Sequence, residues 1–166
     1  MSGLVFNARD VFEIAKKIEQ NGQAFYERAA EIMPNQESSQ LMKNLAAMER
    51  EHEKLFSEME DMLSGDEADD TVYDPHDDAY AVLKRMGDQF VFHPQDPPNR
   101  VFETGASVEE ILDVAIDREK DSILFYEGIK VMVPEKYGRS RIDDIIAEEM
   151  GHLIALSREK ERMRTA

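Results

Sequence analysis

Four stretches of the chain carry an apolar stripe at helical spacing, and each stripe is interrupted near its middle by a glutamate. The first reads Phe12, Ala15, Glu19, Gly22, Tyr26, Ala29 and Met33, and the second Met42, Leu45, Glu49, His52, Phe56, Met59 and Leu63. The third reads Leu112, Ala115, Glu119, Ser122, Tyr126, Ile129 and Val133, and the fourth Ile142, Ile145, Glu149, His152 and Leu156. Steps of three and four residues mark amphipathic helices that bury one face. Start and stop signals bound them. Helix 1 begins after Asn7 and runs to Met33, where Pro34 cannot continue it; helix 2 runs from about Gln36 to Leu63 and stops at Ser64-Gly65. Helix 3 opens on the capping box Ser107-x-x-Glu110 and runs to Val133 before Pro134, and helix 4 spans about Arg139 to Arg164. The expectation is an all-α four-helix bundle forming a single domain over residues 1–166, with helix pairs at 7–63 and 107–164. Between the pairs, residues 64–106 lose the period and include the acidic run DEADD and the Pro-rich HPQDPPN. Neighbouring helices of a bundle need only about 2 to 8 linking residues. The long segment therefore predicts a crossover along the bundle, with helix 3 parallel to helix 2.

The two pairs repeat one another at an offset of 100 residues. The triplet FYE stands at 25–27 and again at 125–127. Ten of 54 superposed positions are identical, only modestly above background for two helical segments, so which residues recur matters more than how many. They include both turn prolines and two copies of the set Glu19, Glu49, His52 as Glu119, Glu149, His152. Pro34 is the midpoint of 19 and 49, as Pro134 is of 119 and 149. In an antiparallel pair each glutamate then lies about 15 residues from the turn, at a common height of about 22 Å. Each histidine sits three residues after a glutamate, on the same helix face. A pseudo-twofold axis relating the pairs carries Tyr26 to the side of His152 and Tyr126 to the side of His52, so each tyrosine is expected to support the other pair's ligands. Glu27 and Glu127 turn outward, and His76 and His93 fall in the linking segment.

Four carboxylates cannot share an apolar interior as bare anions, because desolvation and mutual repulsion would protonate or expel them. A cationic partner is expected, and four Glu with two His can hold two metal ions. The rest of the composition narrows the field. The 166-residue chain has a net charge of -16 and a pI of about 4.6, which disfavours nucleic acid and anionic membrane surfaces. It has no cysteine, which excludes disulfides, Cys-ligated zinc and iron-sulfur or rubredoxin-type sites within the chain. With no secretory leader pattern and no apolar run near the roughly 20 residues of a membrane span, a cytoplasmic location is expected.

Through KIEQNGQAFYERAA, AAMEREHEKLF, DREKDSILFYEGI and AEEMGHLIAL the sequence resembles the ferritin-like superfamily, most closely its rubrerythrin branch. The resemblance covers all four helices. It implies a ferritin-like bundle with two iron ions, bridged by Glu49 and Glu149, with Glu19 and Glu119 as terminal carboxylates and His52 and His152 each on one metal. The implied activity is reduction of H2O2 or O2. Oxidation and storage or delivery of iron without peroxide turnover stands as an alternative, as does a structural or sensory zinc or manganese site, since Glu and His do not select strictly for iron. Rubrerythrins with peroxidase activity carry one more glutamate three residues after the terminal glutamate of helix 3, where this chain has Ser122. With no cysteine for a rubredoxin-type iron, the resemblance implies a separate electron-donor protein. A homodimer or higher homo-oligomer is expected.

Overall fold

The computed structural model describes residues 8–63 and 100–165. Four long helices make up nearly all of it: α1 Ala8–Ile32, α2 Gln36–Asp61, α3 Val108–Lys130 and α4 Arg139–Thr165. A single 3-10 turn, Glu135–Tyr137, separates the last two, and no strand occurs among the described residues. The chain is all-α. The crossover expectation falls mainly on residues 64–99, outside the described residues, as does the Asn7 cap.

Local sequence explains where each helix begins and ends. Asn35 caps α2 by accepting the Ser38 backbone N–H at 2.9 Å. The Ser107–Glu110 capping box is complete: Ser107 Oγ accepts the Glu110 N–H at 3.2 Å and Glu110 accepts the Ser107 N–H at 2.7 Å. α1 stops one residue short of the expected Met33, α2 two short of Leu63, and α3 three short of Val133. Proline restricts the residue before it to extended backbone, which explains the ends before Pro34 and Pro134. The Val133 carbonyl, freed from the helix, accepts Arg139 Nε at 2.7 Å. The second turn closes on Gly138, whose φ of 94° lies in the left-handed region that a side chain would strain.

Reciprocal contacts fix the helix directions. Tyr26 hydrogen-bonds Glu119 and Tyr126 hydrogen-bonds Glu19, a register only antiparallel α1 and α3 can make. His52 approaches Glu149 and His152 approaches Glu49, so α2 and α4 are antiparallel as well. With α1 turning back into α2, α3 must run parallel to α2. The buried side chains fall into two apolar clusters. One joins the start of α1 to the end of α2 through Phe12, Phe56 and Met59, with Ile129 and Ile142 from the second pair. The other joins Phe25, Met42, Leu45, Leu112 and Leu156 at the opposite end. Each fully buried side chain of this size contributes about 1.5–3 kcal/mol. Just ahead of α3, Val101 is buried and Phe102 meets Phe25 with ring centroids 5.0 Å apart. That contact docks the end of the linking segment onto the second cluster. A polar layer lies between the two clusters.

Candidate metal centre

The layer consists of Glu19, Glu49, His52, Glu119, Glu149 and His152, none more than 5% exposed. All six residues singled out from the sequence thus meet inside the bundle. They form two overlapping groups with ligand atoms within 4.8 Å of one another: Glu19, Glu49, His52 and Glu149, and Glu49, Glu119, Glu149 and His152. Glu49 and Glu149 belong to both. The imidazoles face inward through Nδ1. His52 Nδ1 lies 3.1 Å from Glu149 and 3.5 Å from Glu19; His152 Nδ1 lies 2.8 Å from Glu149 and 3.4 Å from Glu49. The two rings stack with centroids 5.7 Å apart.

The electrostatics of this layer call for positive charge. Burial raises the Glu19 and Glu119 carboxyls well above the usual range, and the neighbouring carboxylates Glu49 and Glu149 add to it. Burial opposes charging the histidines, yet the carboxylates crowded against their inward nitrogens push His52 up to about 11 and His152 up to about 12. Burial alone would raise Glu149; the two imidazoles outweigh it and hold that carboxyl far below its ordinary range. A field that favours the charged imidazole will also favour a divalent cation among these carboxylates. Several inward atoms nevertheless lack a hydrogen-bond partner: Glu19 Oε2, both Glu149 oxygens and Nδ1 of both histidines. The short imidazole–carboxylate approaches are close in distance but lack hydrogen-bond direction. Buried polar atoms that converge without satisfying one another fit metal coordination by carboxylate and imidazole.

Tyr26 and Tyr126 close the layer from either side. Each donates its hydroxyl to the other pair's glutamate, Tyr26 to Glu119 and Tyr126 to Glu19. Burial and those same carboxylates raise both phenols well above their ordinary pKa, so they stay protonated as donors. The crossed arrangement is the one the pseudo-twofold axis predicts. An opening between α1 and α3 reaches the layer past Gly22, Ser122, Arg118 and Asp121, with Glu49 and Glu119 at its floor. A Cβ on Gly22 would sit 3.0 Å from Glu49 Oε2, so glycine leaves that carboxylate its room.

A family model for rubrerythrin matches residues 10–160. The chain belongs to the rubrerythrin family. Its fold is similar to that of a Thermotoga maritima protein assigned as ferritin-like diiron-carboxylate, with a TM-score of 0.73 and 26% identity. The match covers 94% of this chain and 95% of that one. No curated protein matches the chain. The rubrerythrin-like fold and the Glu/His cluster together make this a metal-binding bundle, and no described helix is long and apolar enough to cross a membrane.

Two features of this rubrerythrin-family bundle escaped the sequence reading. His52 Nε2 meets Glu148 Oε2 at 2.9 Å, and Glu159, the last buried residue of the α4 stripe, is tied to Ser38 and Arg162. Both were marked in the repeat, since Glu148 and Glu159 stand where the first pair has Met48 and Met59.

Proposed function

We propose that this protein is a di-iron oxidoreductase that reduces hydrogen peroxide or dioxygen at the buried carboxylate layer. The observation that carries the reading is the sharing of Glu49 and Glu149 between two overlapping ligand groups, the pattern expected of carboxylates that bridge two cations. Glu19 and His52 would hold one iron, and Glu119 and His152 the other. The iron pair would supply the electrons that reduce the oxidant. The protein's part follows from its own groups. Phe56 and Met42 belong to the apolar clusters that exclude bulk water on either side, Tyr26 and Tyr126 fix the terminal carboxylates, and the opening beside Gly22 and Ser122 would be the way in for a small oxidant. Glu49 and Glu149, each within reach of both ligand groups, would balance the changing charge. Electrons would come from a donor protein in the cytoplasm, since these 166 residues supply no cysteine to hold a rubredoxin-type iron.

Ser122 favours a second reading. Without the extra carboxylate of peroxidase-active rubrerythrins, the site suits oxidation of iron for storage or delivery. Anaerobic loading with Fe(II), then stopped-flow mixing with H2O2 and separately with O2, distinguishes them. Two irons per chain with rapid oxidation by H2O2, and re-reduction by an added electron donor, supports the reductase. Oxidation by O2 with retention of Fe(III) supports iron handling. Loading well short of two irons, or no oxidation by either reagent, overturns both.

A further inference from the structure

Both histidines present Nδ1 to the layer, so the remaining ring nitrogen, Nε2, is free to be held from outside. On His52 it is held: Nε2 lies 2.9 Å from Glu148 Oε2. With Nδ1 as the metal-facing lone pair, Nε2 carries the proton and donates it to this carboxylate. On His152 the same atom is buried and has no hydrogen-bond partner among the described residues. The register explains the difference. The pairs His52–Glu149 and His152–Glu49 relate α2 to α4, so the counterpart of His52–Glu148 is His152–Met48. A thioether accepts a hydrogen bond only weakly and carries no charge.

We propose that Glu148 is a positioning residue for His52 that makes the two metal positions unequal, the one at Glu19 and His52 binding more tightly. The proposal rests on the two-metal reading of the site. A carboxylate behind a ligating imidazole fixes its tautomer and ring orientation and strengthens it as a donor, and loss of such a partner typically costs about 10–100-fold in metal affinity. Glu148 is poorly placed for a merely structural role, since its side chain is 53% exposed and exposed ion pairs add little to stability. The duplicated ligand set, symmetric in its six residues, is thereby unsymmetric in what stands behind them. The metal at the Glu119–His152 position is the more weakly held and the first to be exchanged.

Anaerobic titration with Co(II), followed by calorimetry and visible absorbance, tests this, together with Mössbauer spectra of protein loaded with iron-57. Wild type should bind in two resolved steps and give two distinct quadrupole doublets. Glu148→Met, which copies Met48, should weaken the tighter step about 10–100-fold and bring the doublets together, with the melting temperature of the metal-free protein unchanged. Met48→Glu should tighten the weaker step instead. Two metals bound with Glu148→Met indistinguishable from wild type overturns the inference alone. Equal weakening of both steps accompanied by a lower melting temperature also overturns it, by assigning Glu148 a structural role. A wild type that binds fewer than two metals overturns the two-metal reading and this inference with it.

Discussion

The two helix pairs carry the same three ligands in the same register, yet they close their outer ends by different chemistry. Where the end of α2 meets the turn of the second pair, buried Met59 packs within 3.4 Å of the point where Gly138 would carry a Cβ. The matching contact at the other end joins Ser38 to Glu159. There Ser38 Oγ lies 2.5 Å from Glu159 Oε1, and Arg162 grips both Glu159 oxygens at 2.7 and 2.9 Å while reaching Ser38 Oγ at 3.0 Å. One end is sealed by an apolar side chain on a glycine, the other by a satisfied polar network. A repeat constrains what faces the shared centre and leaves the periphery free to diverge.

Substitutions made in matched pairs test how far this division holds. The largest effects are expected at the centre. Glu49→Ala and Glu149→Ala should each lose stable binding of both metals, whereas Glu19→Ala or Glu119→Ala should spare one position, as counted by metal analysis after anaerobic Fe(II) loading. Retention of two metals in Glu49→Ala would refute its bridging role.

Next come the outer ends. Met59→Ala removes a fully buried side chain and should cost about 2–5 kcal/mol in urea unfolding. Glu159→Gln should cost less, about 1–3 kcal/mol, by weakening its charge-assisted bonds to Arg162 and Ser38. Its pH dependence has a definite sign. Arg162, against the cost of burial and with help from Ser38, holds the Glu159 carboxyl below its ordinary value of 4.5. The charged form thus stabilises the fold above that ordinary value, and the contribution disappears as pH falls through the lowered folded one. The stability gap between wild type and Glu159→Gln should be constant near neutrality and narrow below about pH 4.5, while Met59→Ala should show no such trend.

A smaller contrast is expected beside the ligands. Gly22→Ala pushes a methyl to 3.0 Å from Glu49 Oε2 and should reduce metal occupancy; Ser122→Ala, a smaller side chain at the matching site, should leave it unchanged. The smallest difference belongs to the tyrosines. Tyr26→Phe and Tyr126→Phe each remove one buried hydrogen bond to a carboxylate, so each should destabilise the protein by about 1–3 kcal/mol and by nearly the same amount. A large gap between them would mean that the two sides of the layer are less alike than their bonding suggests.

Much of this was legible in the sequence because the centre obeys strong constraints. A charge in the middle of an apolar stripe is expensive unless it has a role, and the prolines at 34 and 134 set the heights at which the charges meet. Those two facts were enough to assemble Glu19, Glu49, His52, Glu119, Glu149 and His152, and the pseudo-twofold axis then sent Tyr26 and Tyr126 across to the other pair's ligands, though not to the particular glutamates they meet. Glu148 was missed because it lies on an outward helix face, where carboxylates are ordinarily solvated. Glu159 was missed because a charge near the end of a stripe reads as the start of solvent, and the packing of Ser38 and Arg162 around it shows otherwise. The early end of α3 reflects backbone restriction before Pro134, a local effect that a hydrophobic period does not register.

The overlap of the two ligand groups also bears on how the halves stay together. Each group draws three residues from one helix pair and the fourth from the other: Glu149 completes the first, and Glu49 the second. Bound metals would therefore act as crosslinks between segments some hundred residues apart in the chain. Metal loading should slow separation of the two pairs, and a chain severed between α2 and α3 should show an apparent metal affinity that depends on protein concentration.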